Sequence, residues 1–381
     1  MGKKLLLVRH TEILPEERSR AEAAGFETIC LEGDWDAVGL AATALEEGCV
    51  GIWAGSAQVA GAVLEAQRQL GLPTLCWRGE AEPLLALQGQ GIPVVPAFRV
   101  TTEEEALAVL ERITGDVVVS TTAETANVLV GRLNFPADLS LLLAQVRRHS
   151  LDGASIIRGS FPGSTYKVIG FQQGRDYISL GVVRVDCMDR PYAVPFRFVL
   201  PAGCDGVVAG GLYRKMVSYS RKAAQLQPPG WGPVVFEFSV QGEDVVLVQV
   251  EASGVLDVSL PGLFRAGMGL NLISACMCCA GARLVMERAN RSMAAALVWL
   301  QPRSGMVEAI EGVETAMALP GIVAVECHSR TGDTHRHAID LYSRDKTGFI
   351  LGCGPTCAAA EARLEDALAE VNIVTSLLRV E

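Results

Sequence analysis

Excess positive charge is the first thing missing from this sequence: its 381 residues carry a formal net charge of −10. That argues against gripping a nucleic-acid backbone by electrostatics. Basic clusters are no longer than Lys3-Lys4 and Arg147-Arg148 and read as solvated surface. A membrane-length apolar run is also missing. The longest uncharged stretch, between Arg265 and Arg283, is interrupted by Asn271, Ser274 and several glycines, and reads as one buried helix. At the start, only Leu5-Leu6-Leu7-Val8 separates Lys3-Lys4 from Arg9-His10, so no secretory signal is expected. The 11 cysteines are odd in number and lack the spacing of a disulfide framework. A reducing cytoplasm is the expected setting. Internal repeats and low-complexity segments are absent.

What is present is apolar material: half the residues are hydrophobic and a fifth are charged. A chain of this size buries a large core and divides into two to four modules. Strand Leu5–Val8, helix Pro15–Ala24, strand Thr28–Leu31, helix Asp36–Glu47, strand Val50–Ala54 and helix Ser56–Leu70 alternate, which predicts a small parallel sheet. Its first strand runs into Val8-Arg9-His10-Thr11 without the Gly-x-Gly-x-x-Gly turn that cradles a dinucleotide.

A helix over Glu82–Gln88 stops at Gly89-Gln90-Gly91. Beyond it, Thr102 with Glu105 predicts a capping box on the helix Glu103–Ile113, followed by the strand Val117–Ser120. The chain is then strand-rich to about residue 260, with helices near Leu139–His149 and Leu212–Gln227. Pro228 to Pro233 reads as a stiff loop. The tail predicts a helix Val313–Ala318, a hairpin about Thr331-Gly332-Asp333, a strand Gly348–Gly352 and a helix Cys357–Val371.

The order of several pieces resembles the ATP-grasp superfamily, in its carboxylate–amine (amino-acid) ligase branch. Gly91-Ile92-Pro93, Thr101 to Ala106 and Val117-Val118-Val119 resemble the beginning of its nucleotide-binding body. Phe161-Pro162-Gly163-Ser164-Thr165-Tyr166-Lys167-Val168 resembles the start of the second subdomain. Val235-Phe236-Glu237-Phe238 and Leu247-Val248-Gln249-Val250-Glu251 resemble the two metal-carrying strands. Ala318 to Val323, Lys346 to Leu351 and the helix holding Glu361-Ala362 resemble the C-terminal unit. The resemblance implies an α/β ATP-grasp fold. Its parts would be a parallel α/β domain over residues 1–96, a two-subdomain body over 97–300 split near 165, and a C-terminal α/β unit over 301–381. It also implies Mg-ATP as cofactor in an active member. There, phosphorylation of a carboxylate precedes attack by an amine or thiol, with magnesium and lysines neutralising the phosphates.

The residues depart from that pattern. The lysine usual before the Gly-Ile-Pro turn falls on Glu80, and the one expected to end the Val-Val-Val strand falls on Ser120. The phosphate loop reads Thr121-Thr122-Ala123-Glu124-Thr125-Ala126-Asn127, with no glycine for close approach of backbone to phosphate. The acidic pair of the adenosine hinge falls on Arg158 and Gly159, and an acid expected after Gly163 falls on Thr165. Glu237 keeps the first magnesium carboxylate. Where Glu-x-Asn-x-Arg is expected, the strand reads Gln249-Val250-Glu251-Ala252-Ser253, and alternation sets Gln249, Glu251 and Ser253 on one face. Ser120, Arg158 and Lys167 are thus the candidate nucleotide-site positions, and Glu237, Gln249 and Glu251 the candidate magnesium positions. Each lost phosphate contact in a desolvated site costs roughly 2–4 kcal/mol, so several together remove orders of magnitude in rate. A binding or partner subunit with impaired nucleotide chemistry is expected, with a small molecule between the subdomains. Pairing is expected with itself or with an intact paralogue. The competing expectation is an active ligase with a rebuilt site.

Two other constellations stand apart from the resemblance. In the expected hairpin His328 faces His337, with His335 nearby; this is either a zinc or copper site or a polar solvent-facing turn. Cys276, Cys278 and Cys279 read as core, and Cys357 begins a helix whose dipole lowers a thiol pKa.

Overall fold

The computed structural model describes residues 2–74, 83–121, 130–133, 135–150, 153–188, 194–201, 210–252, 256–283, 289–290, 292–335 and 344–376. Glu80, the segment 122–129, Ser253 and His337 lie outside the described residues.

Strands β1 (Lys3–Arg9), β2 (Phe26–Glu32) and β3 (Cys49–Ala54) form a parallel sheet in the order β2-β1-β3, alternating with helices α1 (Pro15–Ala23), α2 (Ala37–Glu46) and α3 (Ala57–Leu70). Leu5 to Val8 are wholly buried because both faces of the sheet are covered. Leu5 and Leu7 pack with Phe26 and Met277, while Leu6 and Val8 pack with Leu40 and Val63. A continuous apolar strand is what that environment requires.

After α4 (Pro83–Leu87), strands β4 (Ala97–Val100), β5 (Val117–Ser120), β6 (Val130–Leu133) and β7 (Ser155–Gly159) make an antiparallel sheet in the order β4-β7-β5-β6. Helices α5 (Glu103–Leu110) and α6 (Leu139–His149) cover one face through Ala106, Val109, Leu142 and Val146. The capping box forms as expected, with the Glu105 N–H donating to Thr102 Oγ1 at 3.2 Å.

A single eight-stranded antiparallel sheet then runs through the rest of the chain. Its members are β8 (Ser164–Gly174), β9 (Asp176–Cys187), β10 (Pro195–Leu200), β11 (Gly230–Gln241), β12 (Asp244–Glu251), β13 (Ala294–Trp299), β15 (Ile322–Cys327) and β17 (Gly348–Gly354). Their order is β12-β11-β8-β9-β10-β13-β17-β15. Helix α7 (Gly210–Gln225) covers one face with Met216, Ala223 and Ala224 against Tyr166 and Phe236. Helices α8 (Ser259–Met268) and α9 (Leu272–Ala280) cover the other. The segment from Pro228 is not all loop: from Gly230 it is already β11, with Trp231 opposite Gln173.

The uncharged stretch is not one helix. It breaks at Gly269, in the left-handed conformation, and Asn271 restarts it by accepting the Ser274 N–H at 3.2 Å; α8 and α9 meet at 117°. The stretch lacks charge because α9 lies between the large sheet and the N-terminal one. Gly51 of β3 touches it so closely that a Cβ there would fall 1.8 Å from the Ala280 carbonyl oxygen. Among the described residues, no single helix is long and apolar enough to cross a membrane.

The C-terminal residues add β14 (Gly305–Glu311), α10 (Val313–Met317), β16 (Thr334–His335), α11 (Cys357–Glu370) and β18 (Asn372–Ser376), with a small sheet in the order β16-β14-β18. The expected His hairpin is overturned here. β15 pairs with β17, and β16 pairs with β14, Gly305 opposite His335. The turn itself exists, but β14 satisfies its backbone: Gly332 donates to the Val307 carbonyl at 2.9 Å, and Val307 donates to that of Asp333 at 2.8 Å.

Candidate functional site

Strand register assembles the site. In the β8–β11 pair Lys167 stands directly opposite Glu237, and in the β11–β12 pair Glu237 stands opposite Gln249. Glu251, two residues along, shares the face of Gln249. The four side chains therefore form a polar patch on a face whose continuation, through Ile169, Phe171 and Val235, is apolar core under α8 and α9. On the small sheet, Val118 of β5 is flanked by Arg132 of β6 and Arg158 of β7. The two sheets enclose a cavity of about 320 Å³ lined by residues of both, Arg132, Arg158, Lys167, Glu237 and Glu251 among them.

Arg158 closes this cleft. Its guanidinium donates to the Val248 carbonyl and, at 2.8 Å, to Gln249 Oε1, so a residue of the small sheet is tied to β12 of the large one. Lys167 is 5% exposed; its Nζ lies 2.6 Å from Glu251 Oε1 and 3.4 Å from Glu237 Oε2. Burial alone would depress its pKa, but the carboxylates of Glu251 and Glu237 outweigh burial and hold the ammonium above the ordinary lysine range. Burial, with Glu237 adding to it, raises the Glu251 carboxyl against the pull of Lys167. One ammonium is shared by two carboxylates. Cys187 is also in the wall, and burial first, then Glu237, pushes its thiol up to about 12, which disfavours the thiolate.

Of the sequence candidates, Arg158, Lys167, Glu237, Gln249 and Glu251 meet at this cavity. Ser120 is buried at the end of β5 and is not among the lining residues. The side chains as placed do not fit a magnesium ion. Carboxylate oxygens serving a hard cation must converge on it at about 2.0–2.6 Å, whereas here an ammonium stands between the two carboxylates, on one oxygen of each, and the Gln249 oxygen holds Arg158. Sequence reasoning missed Arg132 and Asp116, which also line the cavity. Arg132 was findable only by alternation along β6, a strand not foreseen.

The two described histidines of the tail, His328 and His335, have separate partners. His328 lies 2.7 Å from the Asp345 carbonyl through Nδ1 and 3.3 Å from Glu326 through Nε2, whereas His335 Nε2 lies 2.8 Å from Ser329 Oγ. Among the described residues, no group of three His, Cys, Asp or Glu is placed to hold a metal. Cys276 and Cys279 are core residues, and Cys357 is buried with its thiol donating to the Pro201 carbonyl at 3.3 Å.

Residues 298–376 match the family model of the L-amino acid ligase C-terminal domain 2. The whole chain superposes on an L-amino acid ligase from Bacillus licheniformis with a TM-score of 0.76 and 17% identity, covering 98% of this chain and 99% of that one. Phosphoribosylglycinamide synthetase from Anaerococcus prevotii gives 0.70 and 14%, covering 98% and 100%. N5-carboxyaminoimidazole ribonucleotide synthetase from Thermotoga maritima gives 0.69 and 14%, covering 98% and 100%. A curated relative, the uncharacterized protein y4rH of Sinorhizobium fredii, is 23% identical over 163 residues, 42% of this chain but only 33% of that protein's length.

Proposed function

We propose that this chain, which has the fold of ATP-grasp ligases and a C-terminal segment matching the L-amino acid ligase model, acts as a binding or partner subunit whose ATP and magnesium site is impaired. The observation carrying this reading is the internal commitment of the cleft. Arg158 is spent on Gln249 and the Val248 carbonyl, and Lys167 on Glu237 and Glu251. A phosphate chain needs such cations uncommitted and a metal to bridge its oxygens. Among the described residues the lining carries three cations, Arg132, Arg158 and Lys167, against three acids, Asp116, Glu237 and Glu251. The described lining is thus balanced in charge, without the basic excess that a rebuilt nucleotide site requires.

The occupant of the cleft is then a small molecule rather than a nucleotide. Arg132, which makes no ion pair among the described residues, favours one bearing a carboxylate. The test is calorimetry with Mg-ATP and Mg-ADP on protein stripped of metal. Silence at millimolar nucleotide is expected; micromolar affinity would refute the reading.

A second reading is kept open by the two arginines flanking Val118 on the cavity side. It is an active carboxylate–amine or thiol ligase working through an acyl phosphate on unfamiliar residues. Phosphate release from ATP that depends on an added amino acid and amine would establish it. Self-pairing or pairing with an intact paralogue belongs to the same proposal. Light scattering of the purified chain, alone and mixed with the paralogue, reads it directly.

A further inference from the structure

The cation position of this cleft is filled by the chain itself. Lys167 is delivered by strand register to the place directly opposite Glu237, and its Nζ bridges Glu237 and Glu251 at 3.4 and 2.6 Å. The shorter contact is a charge-assisted hydrogen bond. The remaining oxygen donor of the row, Gln249 Oε1, is held by Arg158 at 2.8 Å. An oxygen-rich patch arranged for a hard cation is thus satisfied by one ammonium and one guanidinium, both covalently part of the protein.

We propose that Lys167 is a built-in replacement for the divalent cation: its ammonium occupies the site between Glu237 and Glu251 and makes the cleft metal-independent. The corollary is that this one side chain is all that keeps the carboxylates from a metal. This deepens the impaired-site reading and rests on it. Three physical points support it. A divalent ion and a buried ammonium repel strongly at the separations this site allows. A tethered cation is present at every metal concentration, whereas a bound ion stabilises only in proportion to its supply. And removing Lys167 leaves two carboxylates facing each other in a largely buried row, a pair that recruits a cation or a proton.

The probe is Mn²⁺, titrated by calorimetry into the full chain after chelator treatment, for wild type and Lys167→Gln. The wild type should show no saturable site below about 1 mM. Lys167→Gln should gain one Mn²⁺ per chain at least about tenfold more tightly, equivalent to about 1.4 kcal/mol. It should also melt higher with Mn²⁺ present, where the wild type does not. Adding Glu237→Gln to Lys167→Gln should abolish both effects.

If Lys167→Gln does not fold without metal, recovery on adding Mn²⁺ but not NaCl of equal ionic strength supports the proposal, and no recovery overturns it. A folded Lys167→Gln that gains no Mn²⁺ overturns it too, as does tight Mn²⁺ binding by the wild type that Glu237→Gln removes. Nucleotide binding by wild type in excess chelator is a separate outcome. It would defeat the impaired-site reading while leaving the metal-independence of the cleft standing.

Discussion

Replacing Arg344 with methionine tests how the C-terminal residues are fastened to the rest of the molecule. Arg344 is 1% exposed and forks onto Asp257, 4% exposed, with Nη1–Oδ2 and Nη2–Oδ1 both at 3.1 Å. It also donates to the Pro195 carbonyl at 2.9 Å and to Asp345 at 2.6 Å, and lies over the Trp299 ring at 4.4 Å. Methionine keeps the apolar contact with Trp299 but strands the Asp257 carboxylate, whose other partner is the Ser259 N–H at 2.9 Å. Asp345, 31% exposed, loses a partner too: burial already raises its carboxyl to about 6 against the pull of Arg344. Breaking a buried pair on one side costs about 3–5 kcal/mol, and that is the expected loss at neutral pH.

The pH dependence carries a sign. In the wild type, burial opposes ionisation of Asp257, and Arg344 overcomes it, holding the carboxyl below its unperturbed 3.8. A depressed folded-state value contributes stability above the unfolded value and loses it as pH falls through the folded one. Without Arg344, burial raises the carboxyl, so its contribution is lost as pH rises instead. The gap between wild type and variant therefore opens as pH rises through 3.8, where Asp257 ionises in the unfolded chain, and widens again above about 6, where Asp345 ionises beside Arg344. Urea unfolding followed by circular dichroism across that range measures it, with Asp257→Asn and the double variant closing the cycle. A neutral-pH loss under about 1 kcal/mol, a gap indifferent to pH, or additive single costs would refute the reasoning.

Two further outcomes follow from other contacts. Gly51→Ala places a methyl 1.8 Å from the Ala280 carbonyl oxygen, and backbone on both sides must shift. Urea unfolding should show a loss of about 1–3 kcal/mol, and an unchanged midpoint would mean β3 and α9 are not in contact. His335 is lowered by burial and His328 raised, first by its hydrogen bond with Glu326. His335 thus contributes stability above its unfolded value of 6.5 that is lost as pH falls through the folded one, while His328 contributes stability below 6.5 that is lost as pH rises. Proton NMR titration of the two rings, with His335→Gln and His328→Gln as assignments, should show displacements in opposite directions.

Local signals gave up the elements readily. The Thr102–Glu105 box, the alternation of the first strands and helices, and the acidic helix after Thr102 all act within a few residues, where sequence and conformation are coupled. Pairings between distant strands are a different matter. Alternation set Gln249 and Glu251 on one face, but nothing in the sequence says that Lys167 lands opposite Glu237, because register is fixed by hydrophobic rows of the whole sheet. The same limit produced the mistaken hairpin, in which Val307, distant in sequence, captures the turn's backbone groups. The single helix expected between Arg265 and Arg283 was a local error. Gly269 and Asn271 are stop and start signals, and uniform apolarity concealed them.

The eight-stranded sheet decides how this molecule can be taken apart. The matched C-terminal family segment begins at residue 298, inside β13, and its strand β17 completes the ladder with β13 from Ala294–Gly354 to Trp299–Phe349. The two portions of chain are thus sewn through one seam of main-chain hydrogen bonds rather than hinged across a surface. Cutting there would bare a buried, alanine- and leucine-rich strand on one piece and its mate on the other, each a template for pairing with a stray chain. Through that seam the segment resembling amino-acid ligases shares one continuous sheet with the strand that carries Lys167.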